Sequence, residues 1–140
     1  MPQTPAPTQP MGLMDFVQSA KASITEIPPQ TLLDKLKAKE DVLVIDVRES
    51  AEYQAGHING AHLVPRGILE AAADPTYPHH FPELATARDR QVIVYCATSG
   101  RSAMAAAVLQ MMGFKHVASM EGGFSRWVTE GMPEAHEAAY

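Results

Sequence analysis

One stretch of the chain, residues 91–113, predicts a strand, a short polar loop and a helix in direct succession. Residues 91–95 form an apolar run rich in β-branched and aromatic side chains, as expected for a buried strand. After the loop, an alanine-rich segment begins at Arg101 and ends at Gly113, and glycine is common just beyond a helix C-terminus. Open α/β sheets bind their ligands where strands give way to helices. The stretch therefore predicts an α/β fold with a functional site in this loop.

The only cysteine of the chain, Cys96, directly follows this predicted strand. Unpaired amides and the positive end of the helix dipole favour an anion there, and Arg101 adds a full positive charge. We therefore expect a reactive thiolate rather than a cysteine buried as a small hydrophobe. Gly100 permits a positive φ that would turn successive amides toward the sulfur, and Thr98 and Ser99 supply hydroxyl donors.

Composition restricts the chain to one globular domain with little attraction for nucleic acid or anionic membranes. Its 140 residues suffice for one domain, 46% are hydrophobic, and the net charge is −5. One cysteine excludes an intrachain disulfide and a cysteine-rich zinc site. No run approaches the roughly 18 apolar residues of a membrane span, and the N-terminus does not resemble a secretory signal. We therefore expect a cytoplasmic protein that binds neither nucleic acid nor membranes.

The chain divides by composition into a leader, a helical extension, one domain and a tail. Residues 1–10 contain four prolines and are expected to be disordered. Residues 11–23 have the apolar spacing of a short amphipathic helix, which either packs on the domain or serves as a docking arm, and packing is favoured. The domain covers residues 24–132, and the acidic, alanine-rich residues 133–140 are expected to form a loose tail.

Within the domain, short apolar runs alternate with segments of helical spacing. This alternation predicts an α/β domain with a parallel sheet and right-handed crossovers. The predicted strands are residues 24–27, 41–47, 62–64, 91–95 and 114–119. The predicted helices are residues 31–39, 49–55, 68–73, 83–90, 101–113 and a last helix that follows the glycines at 122–123 and buries Trp127.

Five motifs occur in a fixed order over most of this domain. They are DVRE at 46–49, GHINGA at 56–61, VPRG at 64–67, YCATSGRS at 95–102, and EGGF at 121–124 with Trp127. Together they resemble the single-domain rhodaneses, a family of sulfurtransferases. The resemblance implies a three-layer domain in which a central, mostly parallel five-stranded sheet carries helices on both faces.

In this family, the cysteine that corresponds to Cys96 accepts a sulfane sulfur as a persulfide and passes it to a nucleophile. The resemblance thus implies transfer from thiosulfate or a small persulfide to a thiophilic acceptor, through a covalent intermediate and with no separate cofactor or metal. Cyanide would be the acceptor in vitro, and a thiol or a sulfur-carrier protein in the cell. We expect a monomer or a weak dimer. The residues implied to bind the persulfide are Ala97, Thr98, Ser99, Gly100, Arg101 and Ser102.

Two other functions remain open, a persulfide-carrying or redox-sensing module with little turnover and a cysteine-dependent phosphatase. Phosphatases of that class have five residues between the nucleophile and the arginine, whereas four lie between Cys96 and Arg101. The shorter loop loses one inward amide and about 3.5 Å of reach, so it suits one sulfur better than three phosphoryl oxygens. The phosphatase cysteine also usually follows a histidine, and Cys96 follows Tyr95. We therefore favour sulfur transfer.

Charged residues outside the loop are interpreted mainly as structural. Asp46 and Arg48 are expected to pair with each other or to cap nearby backbone, although together with Arg66 they form a candidate pocket rim. His57 is expected to fix its turn by hydrogen bonding. Glu52 is expected to lie on a solvated face of a short helix.

Overall fold

A computed structural model describes residues 9–136, and its five strands form one parallel sheet. The strands are β1 (Thr25–Ile27), β2 (Val42–Asp46), β3 (His62–Leu63), β4 (Gln91–Tyr95) and β5 (His116–Met120). They lie in the order β1–β5–β4–β2–β3, and each neighbouring pair is parallel. The predicted α/β fold is confirmed. Because β4 is the central strand, the residues that follow it emerge at the middle of the sheet's carboxyl edge.

Helices cover both faces of this sheet. They are α1 (Leu13–Ser23), α2 (Pro29–Lys37), α3 (Ser50–Ala55), α4 (Leu69–Ala73), α5 (Pro82–Ala85), α6 (Gly100–Met111) and α7 (Gly123–Thr129), and a 3₁₀ turn precedes α4 at Arg66–Ile68. Gly113, with φ of +94°, follows the end of α6 as predicted. Among residues 9–136, every helix is too short or too polar to cross a bilayer.

Alternate residues of the central strands build two separate cores. Ile45 and Val94 pack with α4, α5 and α6, whereas Val44 and Ile93 pack with α2 and α7. Trp127 of α7 is 1% exposed, which confirms its predicted burial. Successive side chains of a strand point to opposite faces, so these strands place apolar side chains on both faces of the sheet. Helices pack on each face, and the domain therefore has three layers.

The predicted helix at 83–90 was wrong in length, because α5 forms only a single turn. Pro82 fixes its start, and the Thr86 hydroxyl donates to the Pro82 carbonyl at 2.7 Å. The Arg88 guanidinium then donates to the carbonyl oxygens of Ala85 and Met112 at 2.7 and 3.0 Å. Arg88 thus satisfies the Ala85 carbonyl, which a longer helix would have paired with a backbone amide.

The termini differ partly from the predictions. Residues 13–23 form α1, which packs along α6, whereas the predicted leader falls mostly on residues 1–8, outside the described residues. The start of the predicted loose tail is bonded to the domain. The Ala135 amide donates to the His57 carbonyl at 2.7 Å and the His57 amide donates back at 2.9 Å, and the Trp127 indole donates to the Pro133 carbonyl at 2.6 Å. The two backbone bonds hold Ala135 against the turn that contains His57, and the indole bond holds Pro133 against α7.

Candidate active site around Cys96

Cys96 links the carboxyl end of β4 to the N-terminus of α6, as predicted. Its Sγ accepts a hydrogen bond from the amide of Ser102, the third residue of α6, at 3.4 Å. The N-cap residue Ser99 makes no side-chain capping bond, so the sulfur serves as an acceptor for one of the unpaired amides of this helix. An acceptor in this position is stabilised as an anion by the amide and by the helix dipole.

Two serine hydroxyls extend this contact into the protein. Ser102 Oγ lies 3.4 Å from Cys96 Sγ and donates to the Ser99 carbonyl at 3.3 Å. The hydroxyl of Ser119 on β5 donates to Ser102 Oγ at 2.8 Å, and Ser119 is fully buried. Sequence reasoning missed Ser119. A hydroxyl in an otherwise apolar buried strand was the signal available, because such a group needs a partner inside the protein.

Backbone hydrogen bonds from the start of α7 hold the loop in place. The Phe124 amide donates to the Cys96 carbonyl at 2.8 Å, and the Ser125 amide donates to the Ala97 carbonyl at 3.0 Å. Gly123 permits this close approach with φ of +58°. A Cβ at Gly123 would lie 2.2 Å from the Thr98 carbonyl oxygen and 2.5 Å from that of Cys96. The carbonyls of Cys96 and Ala97 therefore face the start of α7.

A cavity of about 300 Å³ lies between this loop and α1. Its lining residues are Leu13, Met14, Val17 and Lys21 of α1, Cys96, Thr98, Ser99, Gly100 and Arg101 of the loop region, and Met104 of α6. The expectation that the polar loop keeps Cys96 unburied was wrong, because Cys96 is only 1% exposed to solvent. Packing of α1 and α7 around the loop accounts for this burial. A small molecule that reacts with Sγ must therefore enter the cavity.

Helix α1 contacts the loop directly and changes two of its predicted features. Lys21 Nζ donates to Ser99 Oγ at 2.8 Å, so this hydroxyl bonds to α1 rather than to the sulfur. Gly100 lies within α6 and not at positive φ. Its lack of a side chain instead gives room to Val17, whose Cγ2 would lie 3.4 Å from an added Cβ. Over the described residues, Sγ is bonded by Ser102 rather than by a complete ring of amides.

Arg101 is held in place by Glu52 of α3. Its two terminal nitrogens donate to the two carboxylate oxygens at 2.8 and 2.9 Å, a bidentate pair. The interpretation of Glu52 as a solvated surface charge was therefore wrong. The hydrogen bond from Arg101 is the main cause that lowers the pKa of Glu52 to about 2, and the same bond raises the pKa of Arg101. The pair orients a guanidinium that lines the cavity.

This ion pair predicts a pH dependence of stability. The pKa of Glu52 is lower in the folded chain than the ordinary value of 4.5, so its contribution is complete above pH 4.5 and is lost as the pH falls toward about 2. We expect the difference in the free energy of unfolding between wild type and Glu52→Gln to be constant from pH 7 to about 5 and then to shrink. Urea unfolding at several pH values measures this difference. A difference that persists unchanged at pH 3, or one that shrinks by as much in an Arg101→Gln background, would contradict the assignment.

The three residues of the candidate pocket rim do not line the cavity. Asp46 and Arg48 pair with each other, as expected, through contacts between Arg48 Nε and Nη2 and the carboxylate at 2.7–3.1 Å. Arg48 Nη2 also donates to the Gly56 carbonyl at 2.7 Å, and its guanidinium lies 4.5 Å from the centre of the Phe124 ring. Arg66 is paired with a glutamate one turn further along the chain. These residues are therefore not among those that line this cavity, and their role as a pocket rim stays a prediction.

The charged side chains of the cavity suit an anion rather than a metal ion. Lys21 and Arg101 line it, and both are cations. Among residues 9–136, the side chains of His, Cys, Asp and Glu form no group of three that could hold a metal. A small anionic ligand next to Cys96 fits these charges.

Residues 29–130 match the family model of the rhodanese-like domain. This chain belongs to the rhodanese-like domain family. It is 38% identical to the thiosulfate sulfurtransferase GlpE of Pseudoalteromonas translucida over 98 residues. This match covers 70% of this chain and 82% of GlpE. A probable adenylyltransferase/sulfurtransferase of Mycobacterium tuberculosis, MoeZ, is 32% identical over 120 residues. That match covers 86% of this rhodanese-like domain protein and 28% of MoeZ, so the chain spans under a third of that relative.

A similar solved structure comes from Rhodopseudomonas palustris. It superimposes with a TM-score of 0.84 and is 35% identical, and the match covers 96% of this chain and 99% of that one. That protein is described as one of unknown function and a possible tyrosine phosphatase. The comparisons thus place this rhodanese-like domain among relatives that are named sulfurtransferases, and they include one neighbour for which a different reaction has been suggested.

Proposed function

We propose that this protein is a sulfurtransferase that carries a sulfane sulfur as a persulfide on Cys96. One observation supports the proposal most directly: Sγ accepts the Ser102 amide at the N-terminus of α6 and lines a cavity whose charged side chains, Lys21 and Arg101, are cations. Such a site stabilises a sulfur anion and attracts an anionic donor. The names of related sulfurtransferases agree with this chemistry.

In the first step, the Cys96 thiolate attacks the outer sulfur of thiosulfate. A new S–S bond forms at Sγ, the S–S bond of thiosulfate breaks, and its electron pair leaves with sulfite. The product is a cysteinyl persulfide whose negative charge is on the outer sulfur. The negative charge thus moves from Sγ to the outer sulfur. The cations that line the cavity can therefore stabilise both the thiolate and the persulfide.

In the second step, a nucleophile attacks the outer sulfur and the thiolate leaves. With cyanide, the carbon bonds to that sulfur, the S–S bond of the persulfide breaks, and its electron pair returns to Sγ. Thiocyanate is the product and the thiolate is regenerated. In the cell, we expect a thiol or a sulfur-carrier protein to take the place of cyanide.

The Ser102 hydroxyl can accept a hydrogen bond from a protonated Cys96 thiol and donate one to the thiolate. With a protonated thiol, Sγ donates to Ser102 Oγ. When the thiol loses its proton, this hydroxyl can rotate and donate to Sγ, while the Ser119 hydroxyl continues to donate to Ser102 Oγ. Two donors from one residue, the amide and the hydroxyl of Ser102, then stabilise the thiolate.

Intact-protein mass spectrometry tests the proposal. After incubation with thiosulfate and removal of the donor, wild-type protein should gain the mass of one sulfur atom, and cyanide should remove it with release of about one equivalent of thiocyanate. Cys96→Ser should gain nothing, because the chain has one cysteine. If wild type takes up no sulfur from thiosulfate, a thiosulfonate or a small persulfide, the proposal is wrong.

The same experiment separates turnover from sulfur carriage. An enzyme loses the added sulfur rapidly to cyanide or a small thiol and turns over with excess donor. A carrier or redox-sensing module instead keeps the sulfur in the presence of small acceptors. Because Cys96 is 1% exposed yet lines a cavity of about 300 Å³, small acceptors have a route to it, and we favour turnover.

A phosphatase reaction is the second candidate, because the neighbour from Rhodopseudomonas palustris is described as a possible tyrosine phosphatase. The four-residue spacing between Cys96 and Arg101 disfavours this reaction, and Glu52 occupies both terminal nitrogens of Arg101. An aryl phosphate assay decides the matter. Hydrolysis by wild type that is absent in Cys96→Ser would establish the phosphatase reaction against our proposal.

A further inference from the structure

We propose that α1 selects the sulfur donor, and that the preferred donor carries its terminal sulfur on an apolar organic group rather than being inorganic thiosulfate. This inference rests on the proposed function of Cys96 and concerns the same cavity. In chemical terms the donor is R–SO₂–S⁻ or R–S–S⁻, in which R is apolar and the terminal sulfur carries the charge.

The wall of the cavity that α1 forms is mainly apolar. Leu13, Met14 and Val17 of α1 line the cavity, and Met104 of α6 adds a fourth apolar side chain. Leu13 is 68% exposed and Met14 is 59% exposed, so their apolar surface next to the cavity still contacts water. An apolar group placed between them and Met104 would remove that surface from water. Inorganic thiosulfate offers no such group.

Lys21 of the same helix adds a positive charge to the cavity. Lys21 Nζ lies 2.8 Å from Ser99 Oγ and 3.8 Å from a carboxylate oxygen of Glu26. The other cation, Arg101, already donates two hydrogen bonds to Glu52. The charge of Arg101 is offset by this close bidentate pair, whereas Glu26 is farther from Lys21, so more of the charge of Lys21 is available to the head of a donor. One helix thus supplies an apolar wall and a positive charge.

The volume of the cavity exceeds what thiosulfate needs. About 300 Å³ corresponds to the space of about ten water molecules. Thiosulfate has five heavy atoms, so about half of this space would remain filled with water against apolar side chains. Cavities of this size lie at the lower end of those that hold organic ligands, and a ring or a short alkyl chain on the donor would fill it.

The transfer step balances for either form of the donor. With R–SO₂–S⁻, the Cys96 thiolate bonds to the terminal sulfur, the S–S bond of the donor breaks, and the electron pair leaves with the sulfinate R–SO₂⁻. With R–S–S⁻, the leaving group is the thiolate R–S⁻. Both reactions give the same cysteinyl persulfide and require no oxidant or reductant.

Paired thiosulfonates test the inference. Benzenethiosulfonate and methanethiosulfonate have the same charged head and differ in the apolar group, and thiocyanate formation with cyanide reports on both. After each kcat/KM is divided by the uncatalysed rate constant, we expect a ratio of about 10 or more in favour of the benzene compound. Leu13→Ser should lower this ratio by about threefold or more, because it removes part of the apolar wall. Phe16→Ser is the matched control, since Phe16 is an exposed residue of α1 that does not line the cavity, and it should leave the ratio unchanged.

The charge of Lys21 is tested separately. Lys21→Met should lower kcat/KM by about tenfold for both thiosulfonates, and Lys21→Arg should recover most of the loss because it retains the positive charge. A loss that Lys21→Arg does not recover would assign Lys21 to packing alone and would overturn its role toward the donor. Comparing benzenethiosulfonate with the R–S–S⁻ donor that carries the same aromatic group distinguishes the two donor forms.

The outcomes separate this inference from the proposed function. If wild type forms thiocyanate through Cys96 but the ratio is near 1, or if Leu13→Ser and Phe16→Ser change it equally, the selecting role of α1 is wrong and sulfur transfer stands. If no donor gives thiocyanate that depends on Cys96, the proposed function itself fails.

Discussion

Replacing Arg48 by methionine should lower the free energy of unfolding by about 3–5 kcal/mol. Arg48 is 5% exposed and binds the carboxylate of Asp46, which is completely buried. Its loss leaves a buried carboxylate without its partner, and the Gly56 carbonyl loses a donor as well. Burial alone would lower the pKa of Arg48, but the hydrogen bonds and charge of Asp46 outweigh it and raise that pKa. Urea unfolding at pH 7 measures the loss.

A second ion pair on the surface provides the control for Arg48. Arg90 binds Asp41 at 2.8 Å, but the side chains are 36% and 75% exposed, so Arg90→Met should cost about 0.2–1 kcal/mol. The double variant Asp46→Leu/Arg48→Met should recover much of the stability, since replacing a buried pair by apolar groups is often neutral. Equal costs for the Arg48 and Arg90 variants would show that burial of the Asp46 pair has no energetic consequence.

The Gly123→Ala variant should be destabilised by about 2–5 kcal/mol, because two unfavourable effects add. Gly123 has φ of +58°, which an alanine rarely adopts. Its Cβ would also meet the backbone oxygens of Thr98 at 2.2 Å and Cys96 at 2.5 Å, and backbone atoms cannot rotate away. The start of α7 must then move away from the loop, and the amide bond from Phe124 to the Cys96 carbonyl is lost.

Gly131 separates the two effects at Gly123. It has φ of +76° but has open space around the position of a Cβ, so Gly131→Ala should cost only about 1–2 kcal/mol. Sulfur uptake by Cys96 provides a second measurement, and we expect it to fall in Gly123→Ala and not in Gly131→Ala. The clash with the loop would be excluded as a cause if both alanine variants unfolded at the same urea concentration.

Local sequence predicted the parts of this protein that depend on neighbours along the chain. The position of Cys96 between β4 and α6, the glycine after α6 and the two-faced strands all follow from patterns within about 20 residues. The pairing of Asp46 with Arg48 was also expected, since the two residues are two positions apart and close to the same strand end.

The contacts that complete the candidate site join distant parts of the chain. Lys21 bonds to Ser99 across 78 positions, and Arg101 bonds to Glu52 across 49. A pattern of residue types does not fix which helices meet at the edge of a sheet, so a charge on an amphipathic helix was interpreted as solvated. The burial of Cys96 was missed for the same reason, because α1 lies over a loop whose own composition is polar.

The recessed position of the sulfur also limits what can approach it. A folded surface cannot enter a cavity of about 300 Å³, whereas a small molecule or a narrow, extended piece of polypeptide can. Under the proposed function, an acceptor protein would have to present its reactive group on a protruding chain end or a flexible loop. The same restriction would keep the Cys96 sulfurs of two copies of this chain apart and so protect a persulfide from forming a disulfide between them.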